Sequence, residues 1–268
     1  MAVIQIDSLD DPRVEAFCNL KDRELERRGK RFIAEGEHIV RRLLSSDFTS
    51  ESLLLTPKRA EEIAGIVPEH IPQYVVAQPL MNQILGMKFH SGILACGLRK
   101  PPSQLRQIIP PNKPQLTLVI CPEISNVENI GSIIRLAAAF GADAMILGEK
   151  CHDPFWRQSI RVSMGTVFTL PLVQSQCLLD DLRILQQELN VELAATVIDP
   201  SAEPLQAAKR PARFGLLLGS EAQGLDPMYN SACNRKICIP MHWGTDSLNV
   251  AVAAGIFLYH FTRESGQG

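Results

Sequence analysis

The feature that most restricts the fold is a set of short apolar runs set among helical patterns in the C-terminal half. Leu116 to Ile120 reads LTLVI, Ala144 to Leu147 AMIL, Val191 to Val197 VELAATV, Phe214 to Leu218 FGLLL and Lys236 to Ile239 KICI. A strand wet on one face alternates apolar and polar residues. A run apolar throughout is covered on both faces, which is the signature of a mostly parallel sheet in an α/β domain. The intervening segments read as helices: Asn129 to Phe140, with Ile130, Ile133, Ile134 and Ala137 on one face and Gly141 as C-cap, then Arg157 to Met164, Leu178 to Leu189, and a last helix from Ser247.

Upstream, LRKPPSQLRQIIPPNKP spans Leu98 to Pro114 with five prolines among polar and basic residues. Such a stretch makes a poor core and a good linker. It divides the chain near Ser103 into an N-terminal domain, residues 1–103, and a C-terminal domain, residues 104–268. The first also alternates. Helices are expected from Asp11-Pro12 through Phe17 and Leu20, over Glu37 to Leu44, from Pro57 and from Pro79. Strands are expected at Ser52 to Leu55, Tyr74 to Val76 and Gly92 to Leu98. This is a smaller α/β domain, and no internal repeat is evident.

Composition narrows the partners. The net charge is −2, so nucleic-acid binding must rest on local patches. One candidate patch lies between Lys21 and Arg42. Lys21, Arg23, Arg27, Arg28, Lys30, Arg31, Arg41 and Arg42 interleave there with Asp22, Glu24, Glu26, Glu35 and Glu37. Alternating signs suit a solvated helix face, whereas the basic surplus suits phosphate. The opening MAVIQIDSLDDPRV has the pattern of neither a signal nor a transit peptide, and no run of about eighteen apolar residues exists to span a membrane. The seven cysteines include no CxxC pair and no nearby Cys/His cluster. They read as reduced, mostly buried thiols of a cytoplasmic protein without a metal site.

In open α/β sheets, ligands bind outside the carboxyl ends of the strands. Three segments fall there. PEISNVENIGSIIR, Pro122 to Arg135, sets Asn126 and Asn129 at a helix start and turns Arg135 away from the apolar face, where it is either merely solvated or binds phosphate. LLLGSEAQGLDP, Leu216 to Pro227, brackets Ser220, Glu221, Ala222 and Gln223 between Gly219 and Gly224. Leu225-Asp226 stands where a phosphate loop needs Lys-Ser/Thr, which argues against ATP hydrolysis. An ordinary turn with glycines at positive φ is the plain alternative, and Glu221 at its tip favours function. No GxGxxG follows a strand in this domain, which argues against a nicotinamide enzyme.

The third segment, IPMHWGTDSLNVAVAAGIFLY, runs from Ile239 to Tyr259. Its helix is apolar all round: Leu248, Val250, Val252, Ile256, Phe257, Leu258 and Tyr259 cover the circumference. A surface helix shows one stripe, so this one is buried on several sides or lies in a subunit interface. Ala251, Ala253, Ala254 and Gly255 permit close approach. Asp246 or Ser247 is the expected N-cap, which places Asn249 in the first turn as a capping amide or a ligand contact.

Together, NVENIGSIIRLAAAFGA, LLLGSEAQGL and IPMHWGTDSLNVAVAAGIFLY resemble, in this order, the three signature motifs of the SpoU, or TrmH, family of RNA ribose methyltransferases in the SPOUT superfamily. The resemblance covers Leu116 to Tyr259. DPFWRQSIRVSMGTVFTLP, Asp153 to Pro171, is similar to that family's intervening segment. RGKRFIAEGEHIVRRLL, Arg28 to Leu44, resembles the start of an RNA-binding domain akin to certain ribosomal proteins.

The resemblance implies a trefoil knot, a homodimer, and methyl transfer from S-adenosylmethionine to a ribose 2′-hydroxyl, in ribosomal rather than transfer RNA. It implies Arg135, Asn129, Glu221, Ser247 and Asn249 as catalytic residues. It implies Thr196, Leu218, Gly219, Gly224, Ile239, Met241, Leu248 and Asn249 around the cofactor. Two departures are Ala222, where the family usually has glycine, and Ala251, where it often has serine. The alternatives are a transfer-RNA enzyme and a non-catalytic RNA-binding or ribosome-assembly protein; base-nitrogen methylation belongs to a related family with differently arranged motifs.

Overall fold

The computed structural model describes residues 3–18, 22–220, 223–242 and 247–263. The chain forms two compact units, Met1–Pro101 with Phe155–Thr169, and Pro102–Pro154 with Leu170–Gly268. The main division falls inside the proline-rich stretch, two residues before the position read from sequence. Phe155–Thr169 differs from that reading: it joins the first unit although it lies in the C-terminal half of the chain.

The first unit is built on a mixed sheet. Its strands are β1 (Val3–Gln5), β2 (Arg31–Glu35), β3 (Ser50–Leu55), β4 (Gln73–Val75) and β5 (Ile93–Leu98), in the order β1-β4-β3-β5-β2. β1, β4 and β3 pair in parallel; β5 runs antiparallel to both β3 and β2. Helices α1 (Asp22–Gly29), α2 (Glu37–Leu44), α3 (Pro57–Ile63) and α4 (Gln78–Leu85) join these strands. Pro57 and Pro79 sit in the first helical positions of α3 and α4, where a missing N–H costs nothing. After Asp11 the chain makes only a tight 3-10 helix, Pro12–Phe17. Cys18 closes it with an N–H to Glu15 O and is itself extended, so the longer helix expected there does not form; Leu20 lies outside the described residues.

An aromatic cluster explains the borrowed segment. Phe155 and Phe168 stack against Phe32 of β2 with ring centres 5.6 and 5.3 Å apart, and both also meet Phe48. Gly97 on β5 makes room, because a Cβ there would run into the Phe32 ring. β1, α1 and β2 escaped the sequence reading. α1, DRELERRG, offers one apolar residue, and β2 begins inside the charge run.

The second unit carries a seven-stranded, all-parallel sheet. Its strands are β6 (Leu116–Cys121), β7 (Ala144–Leu147), β8 (Leu172–Gln174), β9 (Glu192–Val197), β10 (Glu203–Pro204), β11 (Arg213–Leu217) and β12 (Arg235–Cys238), in the order β10-β12-β9-β11-β6-β7-β8. Helices α5 (Leu105–Ile108), α6 (Val127–Ala139), α8 (Leu178–Gln187), α9 (Pro227–Ala232) and α10 (Val250–Arg263) belong to it; α7 (Arg157–Val162) belongs to the first unit. Every residue of β6 is buried. On one face Leu118, Ile120, Ile146 and Leu193 pack with Leu178, Leu182 and Leu185 of α8. α10 covers β11, with the Phe261 ring tilted against that of Phe214 at 4.6 Å, and packs against α6. Cover on both faces is what the continuous apolar runs demand. The strand order reverses beside β6: β7 and β8 extend the sheet one way, β11, β9 and β12 the other. The knot implied by the resemblance is consistent with this order.

α10 departs from its sequence reading at its start. It starts at Val250 and its cap is Asn249, whose Oδ1 accepts from the N–H groups of Ala251 (2.9 Å) and Val252 (3.2 Å). Ser247 therefore precedes the cap, and Asp246 lies outside the described residues. The burial of α10 leaves the second alternative of that reading, a subunit interface, open. Ala251, Ala254, Phe257, Leu258 and Phe261 are covered, whereas Val252, Ile256 and Tyr259 remain 53%, 38% and 52% exposed.

Candidate active site

The site lies at the strand-order reversal, outside the carboxyl ends of β6, β9, β11 and β12, as parallel-sheet geometry favours. β6 leads into α6 through Asn126, the N-cap, whose side chain accepts from the N–H groups of Glu128 (2.8 Å) and Asn129 (3.1 Å). The apolar face of α6 buries Ile130, Ile133, Ile134 and Ala137. Arg135, on the other side, is therefore exposed, and no ion pair ties it to a described residue.

Asn129, buried in the first turn of α6, accepts a hydrogen bond from Asn249 Nδ2 at 3.0 Å. The two backbone donors at the start of α10 require the Asn249 oxygen. Its NH2 group must then face Asn129, which answers with its own oxygen. The amide pair thus has a defined polarity and locks the beginnings of α6 and α10 together. Asn249 is a satisfied capping amide: its oxygen caps α10 and its NH2 is spent on Asn129.

The loop after β11 closes on itself. Ser220 N donates to Gly224 O at 2.8 Å and Gly224 N to Ser220 O at 3.0 Å. Its two glycines serve different needs. Gly224 takes φ +69°, in the left-handed region. Gly219 is needed for close approach, because a Cβ there would collide with the backbone of Gly224 and Leu225. Thr196, near the end of β9, donates its hydroxyl to Leu217 O at 2.9 Å and so fastens β9 to β11.

Between these parts lies a cavity of about 270 Å³. Thr196, Gly219, Gly224, Ile239, Met241 and Leu248 line it, all of them cofactor candidates from the sequence, and so does Ser247. Leu218 does not: it is fully buried, with its N–H bonded to Ile120 O. Asn249, Asn129 and Arg135 are not part of the lining either. Glu221 and Ala222 lie outside the described residues. The sequence reading missed Val250, Ala253 and Phe257, which share one face of α10, and Ile198, Ser220 and Gln223 beside it. The i, i+3, i+7 spacing of the α10 residues was the available signal, hidden in a helix apolar on every side.

The described lining carries no charged side chain. One wall is apolar (Ile239, Met241, Leu248, Phe257); Thr196, Ser220, Gln223 and Ser247 add hydroxyl and amide groups. Such a lining suits a nucleoside with a polar tail, held by shape and backbone rather than by ion pairs. S-adenosylmethionine fits that description, and Gly219 and Gly224 of the clasped turn both line the cavity. Among the described residues, no group of three or more His, Cys, Asp or Glu side chains is placed to hold a metal ion, and no helix is long and apolar enough to cross a membrane.

Comparison with known proteins agrees with this geometry. Residues 116–259 match the model of the SpoU rRNA Methylase family. A Mycobacterium tuberculosis protein named as an uncharacterized tRNA/rRNA methyltransferase is 34% identical, over 95% of this chain and 90% of its own. A 23S rRNA (guanosine-2′-O-)-methyltransferase of Acinetobacter baylyi is 27% identical, over 85% and 96%. Two crystal structures of rRNA methyltransferase from Sinorhizobium meliloti, one with AdoMet bound, superpose with a TM-score of 0.84 over 100% of both chains, at 24% identity for the AdoMet-bound form and 26% for the other.

Proposed function

The chain belongs to the SpoU rRNA methylase family, and we infer that it transfers a methyl group from S-adenosylmethionine to a ribose 2′-hydroxyl of ribosomal RNA. The observation that carries this reading is the cavity, uncharged in its described lining, standing beside an asparagine pair that locks α6, the helix of Arg135, to the cavity wall.

The cofactor, when bound, supplies an activated methyl group on a sulfonium. The chain's own residues do the rest. Thr196, Gly219, Gly224, Ile239, Met241 and Leu248 hold the cofactor, with Leu218 supporting the turn from beneath. Asn129 and Asn249 fix the helix starts, so that Arg135 presents its guanidinium at one place. Arg135 binds the phosphate of the target nucleotide and thereby sets the 2′-hydroxyl in line for transfer. The hydroxyl proton leaves through that phosphate, because a guanidinium stays protonated and makes a poor base. Ser247, on the cavity wall, and Glu221 orient the nucleotide.

A homodimer is part of the proposal. Val252, Ile256 and Tyr259 form an uncovered apolar stripe along α10, and Tyr259 meets Phe140 at the end of α6 edge to face. A stripe of this kind on a parallel-sheet domain suits a second copy. A cytoplasmic location is proposed on the odd set of seven cysteines.

The test is methyl transfer from labelled cofactor to unmodified ribosomal and transfer RNA. Alkali cannot cleave next to a 2′-O-methyl ribose, so the expected product is label in alkali-resistant dinucleotides from ribosomal RNA. Label in mononucleotides would mean base methylation. Arg135→Ala should nearly abolish transfer while cofactor binding, read by calorimetry, persists; substantial turnover by that variant sinks the role given to Arg135.

A further inference from the structure

The first unit brings two distant pieces of sequence together. Arg23 and Arg27 lie one turn apart on the exposed face of α1, while Leu25 on the other side is buried. Glu24 turns toward a separate cavity that it lines with Arg31 and Glu51. No ion pair ties Arg23 or Arg27 to a described residue. Beside Arg23 stands Trp156, half-buried, which arrives from the segment between β7 and β8. The Arg23 guanidinium carbon sits 5.7 Å from the centre of the indole. The contact is anchored, because the N–H of Arg157, at the start of α7, donates to Asp22 Oδ1 at 2.9 Å and so fastens α7 to the start of α1. Arg157 is itself under-satisfied. Among the described residues, the carboxylate paired with its guanidinium is that of Glu35, 3.9 Å from Nε, and its Nη1 is buried without a hydrogen-bond partner.

Exposed guanidiniums without carboxylate partners among the described residues, one of them set against a half-buried indole, are what single-stranded nucleic acid uses. Phosphates take the cations and an unpaired base stacks on the ring. Duplex RNA offers the phosphates but no free base face. An acidic peptide would use the cations and leave the ring idle. We propose that Arg23, Arg27 and Trp156 form a grip for a single-stranded segment of the substrate RNA, with phosphates on the two arginines and one base stacked on Trp156. The proposal rests on the reading that RNA is the substrate, and it gives the basic segment of the N-terminal half an aromatic partner from elsewhere in the chain.

Trp156 and Trp243 are the only tryptophans, so full-length Trp243→Phe protein reports on Trp156 alone. A short uridine-rich single strand, labelled for anisotropy, should quench its emission as it binds; a duplex of the same length should not. Arg23→Gln/Arg27→Gln should raise the dissociation constant on the order of tenfold and flatten the salt slope by roughly 1.4, two contacts at ~0.7 each. Trp156→Leu, checked for an unchanged melting temperature, should erase the preference for the single strand. RNA binding with unchanged emission, an unaltered salt slope in the double variant, or tighter binding of a glutamate-rich peptide would each overturn the grip. Loss of all methyl transfer with quenching intact would instead strike the enzymatic reading and leave the grip standing.

Discussion

The two units recognise by opposite means. In the second, the described cavity wall is uncharged and its shape comes from backbone: a clasped turn, a glycine too close to its neighbours for a side chain, and an amide pair between helix starts. In the first, the exposed features are charged or aromatic side chains carried by helices whose backbones are ordinary. A site made of backbone tolerates almost no change at its key positions. A site made of long side chains on a surface degrades by degrees.

Gly219→Ala breaks the comparison hardest. One methyl group forced into the Gly224–Leu225 backbone should cost transfer on the order of a hundredfold and weaken cofactor binding, while RNA affinity holds. Parallel titrations of cofactor and RNA would show it, and wild-type cofactor affinity in this variant would remove the close-approach argument. Tyr259→Asp comes next. A carboxylate on the uncovered stripe of α10 should turn a dimer into monomers by light scattering; a dimer that survives it is built elsewhere. Asn249→Ala removes the α10 cap and half of the amide pair, and should lower stability by about 1 kcal/mol with a larger loss of transfer than that figure explains. Equal losses would reduce Asn249 to a cap.

The smallest effect sits in the first unit. The Arg31 fork on Glu51, at 2.6 and 2.5 Å, ties β2 to β3 and holds the Glu51 carboxyl below its ordinary pKa. A carboxylate lowered on folding adds stability above its unfolded pKa and loses it as pH falls through the folded value. Acid should therefore loosen the first unit below the ordinary carboxylate range. Glu51→Gln should flatten that part of the stability profile, and an unchanged profile would mean the fork contributes nothing.

What was legible in the sequence follows the same division. The parallel sheet was visible because strands such as β6 are apolar on both faces. The turn after β11 and the asparagines of α6 and α10 stood out only through the resemblance of three ordered motifs, since each stretch alone left a plain turn or cap as an alternative. α1 and β2 were not visible, since a helix with Leu25 as its one apolar residue and a strand starting in a charge run carry no periodic signal. The cap of α10 was misplaced because Ser247 and Asn249 are both good caps, and only the hydrogen-bond geometry distinguishes them. The company that Trp156 keeps was invisible for another reason: no local pattern announces that a residue will be captured by a helix far upstream.

The aromatic cluster also has a bearing on the order of events at the ribosome. Phe32 and Phe48 emerge with the first unit, whereas Phe155 and Phe168 follow only after the linker, β6, α6 and β7. At ordinary elongation speeds of ~5–20 residues per second, the nascent first unit waits roughly 3–13 s between Pro101 and Phe168 with this part of its core unclosed. For that interval the Phe32 and Phe48 rings face the cell rather than Phe155 and Phe168. The nascent chain thus passes through a sticky adolescence written into its topology, in which a holding chaperone has a defined target and a defined moment of release.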